Sequence, residues 1–144
     1  MEFRLANIHD AAALAHSAAD VFDNPVDSAL AAEFLSDPRH HLAIAIEDDQ
    51  IVAMASGVHY IHPDKAPELW INEVGVATGC QGRGVGRRVV SVLLDHGRAL
   101  GCQEAWLLTD DANAAARRMY AAAGGIETRQ IMISFDLRQA HEPR

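Results

Sequence analysis

The sequence predicts a single α/β domain built around a sheet with mixed strand directions. Short runs in which apolar and polar residues alternate predict strands, stretches with apolar residues at helical spacing predict helices between them, and turn residues separate the two. At 144 residues the chain has the usual length of one domain, which we place at residues 1–144. No repeat and no Gly/Ser-rich linker divides it.

Each element follows from local signals in the sequence. Asp27 is placed to cap the second helix, Asp110 or Asp111 the fourth, and Asp48-Asp49-Gln50 is a tight hairpin turn. Strands are predicted at residues 2–7, 41–47, 51–60, 68–76, 103–109 and 126–137. Helices are predicted at residues 11–21, 27–37, 84–100 and 111–123. Residues 138–144 are expected to be a frayed tail.

The charge distribution narrows the classes of partner. The first 77 residues carry 13 acidic and 3 basic side chains, whereas the remainder carry 7 and 9. The acidic character of the first 77 residues argues against a nucleic-acid partner, because phosphate contacts need clustered Lys and Arg. It suits a cationic substrate, although acidity for solubility alone is an equally open interpretation.

Other sequence features indicate a cytoplasmic protein. No apolar run is long enough to span a membrane, and the N-terminus lacks the basic and apolar regions of a signal peptide. The two cysteines, Cys80 and Cys102, have no metal-type spacing and are expected to be free thiols. We therefore expect no membrane partner.

The glycine-rich loop between the strand at residues 68–76 and the next helix predicts a phosphate site. Backbone N–H groups converge on anions where such a loop opens a helix. A P-loop would need Lys-Ser or Lys-Thr after Gly84, where Val85-Gly86 stand. A dinucleotide fingerprint would need glycine in place of Arg87 or Val89, so neither motif is present.

The remaining pattern, Gln81-x-x-Gly84-x-Gly86, resembles the Q/R-x-x-G-x-G/A signature of the GNAT superfamily of N-acetyltransferases. Further on, Asn113 to Tyr120, followed by Gly124, resembles the second motif of that family, N-x-x-A-x-x-x-Y…G. Counting the order of strands and helices, the resemblance covers nearly the whole chain. It implies a mixed, mostly antiparallel sheet of six to seven strands flanked by four helices, with strands 4 and 5 splayed apart.

The resemblance also implies acetyl-CoA as the cofactor and a place for each part of it. The amides of residues 82–87 would take the pyrophosphate, with Arg83, Arg87 and Arg88 adding positive charge. The pantetheine arm would bind the free backbone of the splayed strand, and the N–H of Val74 would face the thioester carbonyl. The cofactor-binding residues are then Val74, Gly75, Val76, Gln81, Gly82, Arg83, Gly84, Val85, Gly86, Arg87, Asn113 and Tyr120.

Two side chains are the candidate catalytic residues. Glu73 stands in the apolar run Ile71-Asn72-Glu73-Val74 and is expected to be the general base that deprotonates the amine. Strand alternation predicts that it shares a face with Leu69 and Ile71, opposite Val74 and Val76. Tyr120, whose phenol ordinarily has a pKa of about 10, suits a general acid for the departing thiolate.

A closer resemblance concerns the acceptor. The segments around Phe22, Trp70 and His96 are similar to the short aminoglycoside 3-N-acetyltransferases, which implies a cationic amine acceptor bound by acidic residues. The candidate substrate-binding residues are Asp23, Glu73, Asp110, Asp111 and Asp136, with Asp20 and Asp27 as further acids. An acetyltransferase for a polyamine, a small metabolite or a protein N-terminus, and a non-catalytic acyl-CoA-binding regulator, remain alternatives.

The histidines and the last predicted strand carry the remaining expectations. The histidines lack a metal-ligand pattern, so no metal site is expected; His62 could line the acceptor pocket, and His96 is expected to be structural. By analogy with the family, the last predicted strand, with Ile131, Ile133 and Phe135, could form the edge of a homodimer.

Overall fold

The computed structural model describes residues 1–138 and contains one five-stranded sheet and four α-helices. The strands are β1 (Glu2–Leu5), β2 (His40–Glu47), β3 (Gln50–Tyr60), β4 (Glu68–Val76) and β5 (Glu104–Trp106). The helices are α1 (Ala11–Leu14), α2 (Ser28–Ser36), α3 (Val85–Ala99) and α4 (Ala114–Ala122). Short 3₁₀ turns at Ile8–Asp10 and Thr78–Cys80 complete the elements.

The sheet has the mixed strand directions that the sequence predicts. Its order is β1-β2-β3-β4-β5; the first four strands pair antiparallel, and β5 pairs parallel to β4. The α3 helix packs across β1 to β4, and its Val89 and Leu93 are completely buried against the sheet. Asp48 and Asp49 both have positive φ, 49° and 60°, so the predicted hairpin turn between β2 and β3 is confirmed.

A β-bulge in β4 sets which side chains face the two sides of the sheet. Ser56 pairs with Glu73 and its neighbour Gly57 pairs with Ile71, so Asn72 is the extra residue. Leu69 lies against Gly97 of α3 and Val76 lies against Gly86 of α3, although strict alternation over seven residues would place them on opposite faces. The bulge therefore turns Glu73 and Gly75 to the face away from α3.

That geometry corrects one prediction about Glu73. Its side chain is opposite Val74 and Val76 as expected, but it does not share a face with Leu69 and Ile71. The reason is the extra residue at Asn72, because period-2 reasoning assumes an unbroken ladder.

The first helix is shorter than the sequence predicts. The chain leaves α1 after Leu14 instead of continuing to residue 21, and the Ser17 hydroxyl donates to the Leu14 carbonyl oxygen at 2.8 Å. Such local side-chain bonds compete with continued helix. Residues 15–27 form an irregular segment, in which Asp20 has a φ of 67°. The predicted cap of α2 is confirmed, since Asp27 Oδ1 accepts from the Leu30 N–H at 2.9 Å.

The fourth helix begins later than expected. Its cap is Asn113, whose Oδ1 accepts from the Ala116 N–H at 3.1 Å, whereas Asp110 caps only the turn before it by accepting from the Ala112 N–H at 2.9 Å. Neither Asp110 nor Asp111 therefore caps α4 as predicted. Both are alternatives that the sequence offers within one turn of the true start.

The last predicted strand is absent from the described part of the sheet. Residues 126–138, which we call the C-terminal arm, pair with no strand, and Ile131, Ile133 and Phe135 are 74–89% exposed. The sheet thus has five strands where six to seven were expected. The alternation of apolar and polar residues in the arm predicts an extended conformation. It does not predict which strand the arm would pair with, and a strand in a sheet needs such a partner. The predicted frayed tail, apart from Arg138, lies outside the described residues.

Candidate active site

The β4 and β5 strands separate and leave one side of β4 without a partner. They pair only over Glu68–Trp70 and Glu104–Trp106, whereas β4 continues to Val76. The Ala77 N–H donates to the Val52 carbonyl oxygen of β3 at 2.8 Å, so by alternation the backbone groups of Val74 and Val76 point away from β3. These two residues present free N–H and C=O groups to the gap, apart from the Val76 carbonyl oxygen, which accepts from Gln81 Nε2 at 3.2 Å.

The loop after β4 leads into a helix N-terminus that has no side-chain cap. Gly84, the residue before α3, has a φ of 76° and offers no side chain to the first amides of the helix. Gly82 has a φ of 73°, and a Cβ at either glycine would meet no atom within 4 Å. An open approach to uncapped amides is the geometry that binds phosphate groups. The residues present therefore fit the pyrophosphate of a CoA-type cofactor.

The three arginines near this loop have different surroundings. Arg83 donates to both carboxylate oxygens of Glu47, at 2.8 and 3.1 Å, and the ion pair holds the pKa of Glu47 below its usual range. The Arg88 guanidinium lies 3.8 Å from the centre of the Phe3 ring. Arg87 is exposed on the first turn of α3 and makes no ion pair within residues 1–138. Of the three, Arg87 has the charge most available to an incoming phosphate.

An open cleft of about 350 Å³ lies beside the free stretch of β4. Carboxylates of Asp20, Asp23 and Glu73 line it together with the backbone of β4. The other residues around it are Val21, Met54, Val74, Gly75, Val76 and Gln81. The predicted base, one predicted substrate-binding acid and four predicted cofactor-binding residues thus come together.

The irregular segment after α1 forms one wall of the cleft. The Thr78 hydroxyl donates to Asp20 Oδ2 at 2.8 Å, which ties this segment to the turn after β4. The carbonyl oxygen of Val21 lies directly over Gly75. Val21 and Met54 were not predicted as site residues. A glycine between Val74 and Val76 within a strand is the sequence signal that the backbone of another segment approaches closely there.

Several predicted site residues lie outside the cleft. Asp111 forms an ion pair with Arg117 at 3.4 Å, Asp136 binds Arg138 at 2.8 Å, and Asp110 caps the turn before α4. None of these three carboxylates is among the described residues that line the cleft.

The second motif lies on α4, close to the start of α3. Met119 packs beside Gly86, and Asn113 caps the helix. Tyr120 is half-buried against the core, and this burial raises the pKa of its phenol above the ordinary value. The phenol is therefore protonated at neutral pH, as a general acid must be. It does not line the cleft of Glu73.

Two strands and α3 bring three histidines together. Nε2 of His41 lies 2.7 Å from Nδ1 of His59, and its Nδ1 lies 3.0 Å from Nε2 of His96, so three imidazoles are joined in a chain. His62 binds Glu68 and does not line the cleft. Over residues 1–138, no group of three His, Cys, Asp or Glu side chains has the geometry of a metal site. Neither cysteine forms a disulfide.

The geometry of the glycine-rich loop and of β4 fits a CoA-type cofactor, and sequence comparison assigns the family. The model of the Acetyltransferase (GNAT) family matches residues 6–124, so the chain belongs to the GNAT acetyltransferases. Members of this family use acetyl-CoA as acetyl donor. No helix in the described residues has the length and apolarity needed to cross a membrane.

Solved structures share the fold over most of the chain. An aminoglycoside acetyltransferase, meta-AAC0020 from an uncultured soil metagenomic sample, in complex with sisomicin, has a TM-score of 0.83 at 15% identity and covers 94% of this chain and 95% of its own. Aminoglycoside N-acetyltransferase AAC(6')-Iy in complex with CoA has a TM-score of 0.79 at 19% identity, covering 94% of each chain. At these identities the likeness establishes the fold alone.

A curated relative matches a shorter part of the chain. Mycothiol acetyltransferase from Saccharopolyspora erythraea is 39% identical over 66 residues, which is 44% of this chain. The matched segment spans about a fifth (21%) of that relative's length.

Proposed function

We propose that this protein transfers the acetyl group of acetyl-CoA directly to an amine of a small cationic molecule. The observation that carries the proposal is the position of Glu73. The bulge at Asn72 turns its carboxylate into an acidic cleft, beside the unpaired backbone of Val74 and Val76.

Different residues would bind the different parts of the cofactor. The amides of residues 82–87 and the side chain of Arg87 would bind the pyrophosphate. The backbone of Val74 to Val76 would bind the pantetheine arm. Asn113, which caps α4, and Tyr120, on α4, would contact the cofactor from the side opposite β4. When bound, acetyl-CoA supplies the thioester whose acetyl group is transferred. The N–H of Val74 would donate to the thioester carbonyl oxygen.

Two side chains would move protons. Glu73, directly or through a water molecule, would accept the proton of the acceptor ammonium and so provide a neutral amine. Tyr120 would donate to the leaving thiolate, and its raised pKa keeps that proton available at neutral pH. A non-catalytic acyl-CoA-binding regulator would need the glycine loop but no carboxylate at position 73, so Glu73 favours an enzyme.

The proposed acceptor is an aminoglycoside, acetylated on the 3-amino group of its 2-deoxystreptamine ring and thereby inactivated as an antibiotic. Asp20, Asp23 and Glu73 give the cleft the negative charge that a polyammonium compound requires. The chain's own resemblance supports the 3-amino position, whereas one solved neighbour is named for the 6' position. Because one relative is a mycothiol acetyltransferase, the amine of a small metabolite is the second candidate acceptor, ahead of a polyamine or a protein N-terminus.

We further propose a cytoplasmic homodimer. The apolar side chains of the C-terminal arm are exposed in one chain, and β5 offers a free sheet edge within the described residues. An exposed alternating segment and an open edge are the two halves of a strand pair. The two unpaired cysteines suit a reducing compartment.

A release assay tests the proposed activity. Free CoA formed from acetyl-CoA would be measured with aminoglycosides, polyamines, small amino sugars and peptides as acceptors. We expect turnover with at least one aminoglycoside, and mass spectrometry with NMR of the product to place the acetyl group on the 3-amino nitrogen. Turnover of other amines without any aminoglycoside would overturn the acceptor assignment but leave the acetyltransferase intact.

A further inference from the structure

A pair of stacked tryptophans lies on the sheet next to the cleft. The ring centroids of Trp70 on β4 and Trp106 on β5 are 5.1 Å apart, and the rings are inclined by only 11°. Trp106 Nε1 donates to the Tyr60 hydroxyl at 3.0 Å, and this hydrogen bond holds the Trp106 indole in place. Trp70 is 39% exposed although it is one of the largest apolar side chains of the chain. An aromatic surface that is held rigidly and left open to solvent is typical of a binding surface.

The bulge places this pair on the same face of the sheet as Glu73. Trp70 pairs with Val58 and Glu73 pairs with Ser56, and these partners are two residues apart on β3. Trp70 and Glu73 are therefore neighbours on one face, about 7 Å apart along the strand. Leu69, by contrast, points to α3 on the other face.

The face of β4 that carries Glu73 is covered on one side of this residue and exposed on the other. On the Gly75 side of Glu73, the carbonyl oxygen of Val21 covers the strand. On the opposite side lies the exposed Trp70, and α3 packs against the other face of β4. An acceptor whose amine reaches Glu73, and which extends along β4 away from Gly75, therefore lies over the indole of Trp70.

Carboxylates flank the pair on both sides. Asp20, Asp23 and Glu73 lie in the cleft at one side. At the other side Glu104 is exposed and pairs in register with Glu68, although Glu68 is itself bound by His62 and lies 3.7 Å from Lys65. Indole faces attract cations, and neighbouring carboxylates strengthen that preference.

We propose that Trp70 and Trp106 form the platform on which the body of the acceptor lies, and that this platform selects saturated rings bearing several ammonium groups. The inference rests on the proposed function and adds its substrate-selecting surface. A saturated ring offers C–H groups to the indole face while its ammonium groups reach the carboxylates on either side. A linear polyamine has the charge but not the ring, and a neutral sugar has the ring but not the charge.

The chain offers a direct spectroscopic test, because it contains two tryptophans and both belong to this pair. Tryptophan emission of the CoA-loaded protein would be followed during titration with sisomicin, spermidine or trehalose. We expect a saturable change with sisomicin, a weaker response with spermidine and none with trehalose. Equal responses to sisomicin and spermidine, or none to sisomicin, would overturn the platform.

Variants separate binding by the platform from a purely structural role of the stack. Trp70→Ala should raise the sisomicin Kd and KM by about 3- to 30-fold. Trp70→Phe should raise them less, because it keeps an aromatic face. Neither variant should change the affinity for CoA or the kcat at saturating acceptor. The control is Ile8→Ala, which removes a similarly exposed apolar side chain beside β1, at the opposite edge of the sheet.

The outcomes distinguish this inference from the proposed function. Failure of the wild-type protein to bind CoA, measured calorimetrically beforehand, would defeat the function. A CoA-binding protein whose Trp70→Ala variant acetylates sisomicin with unchanged KM would defeat the platform alone. A variant that also loses CoA affinity would show that the stack supports the fold, and this too would count against the platform.

Discussion

The backbone carbonyl of Val21 lies so close to Gly75 that a Cβ on Gly75 would come within 1.9 Å of its oxygen. The bulge at Asn72 turns position 75 toward the segment after α1, and the absence of a side chain there lets that segment close over β4. The same segment carries Asp20 and Asp23 into the cleft. The segment of residues 15–27, which forms the acidic wall of the cleft, therefore contacts β4 at Gly75.

Gly75→Ala should displace this wall. Because the clash is with backbone and not with a flexible side chain, we expect destabilisation of about 1–3 kcal/mol and a raised acceptor KM. Gly79→Ala is the matched control, since a Cβ at Gly79 meets no atom within 4 Å. Urea unfolding and steady-state kinetics of both variants make the comparison. Equal stability and equal KM in the two would mean that Val21 does not hold the wall.

Glu73→Gln should lower kcat by about 10²- to 10⁴-fold, because the amide cannot accept the ammonium proton. CoA affinity should be unchanged, since the proposed cofactor contacts at this point are made by the backbone. Glu33→Gln, on the exposed surface of α2, is the control for loss of one negative charge. A kcat reduced less than threefold would return Glu73 to a purely electrostatic or structural role.

The arginines of the phosphate loop should differ in their effect on the cofactor. Arg87→Gln should raise the CoA Kd by about 2- to 5-fold, and the difference from wild type should shrink at high salt. Arg83→Gln should change the Kd less, because the Arg83 guanidinium is already bound by Glu47. Titration calorimetry at two salt concentrations would measure both effects. A larger loss in Arg83→Gln would show that this ion pair opens when CoA binds.

The chain of three histidines should make the stability of the protein fall in mild acid. Burial, and the nearby His96, His59 and His40, lower the pKa of His41 from its ordinary 6.5 to about 4, with a small opposing effect of Asp37. Burial also lowers the pKa of His96. The unfolded chain therefore binds protons more readily than the folded one, and stability falls as the pH drops from about 6.5 toward 4.

The midpoint of urea unfolding, measured between pH 7 and pH 4.5, checks this expectation. His41→Gln keeps a polar side chain at the position but cannot acquire charge, so its midpoint should vary less with pH. The same pH dependence in His41→Gln and the wild type would exclude His41 as the source.

The local motifs predicted the backbone conformation of the glycine-rich loop and the extent of the strand before it. Glycines at positions 82 and 84, followed by a helix with valines on one face, allow few alternatives, and the observed φ values at both are positive. The cap of α2 at Asp27 and the turn at Asp48-Asp49 were predicted for the same reason: their signals lie within a few residues of the structure they specify.

Features that depend on distant parts of the chain were not predictable in this way. The extra residue at Asn72 is visible only in the pairing of β4 with β3, and it decides which face Glu73 occupies. Similarly, the closure of Val21 over Gly75 joins positions far apart in sequence. The acids at 110, 111 and 136 have the charge expected of a binding site, yet Arg117, Arg138 or a nearby backbone amide binds each of them.

Calorimetric titration of the purified protein with CoA and with pantetheine tests whether the glycine-rich loop and β4 bind the cofactor. If the uncapped amides at the start of α3 hold a diphosphate and β4 holds the pantetheine arm, CoA should bind saturably at one site per chain. Pantetheine, which lacks the diphosphate, should bind far more weakly. Absence of measurable CoA binding, or equal affinity for both compounds, would show that the start of α3 does not bind the diphosphate.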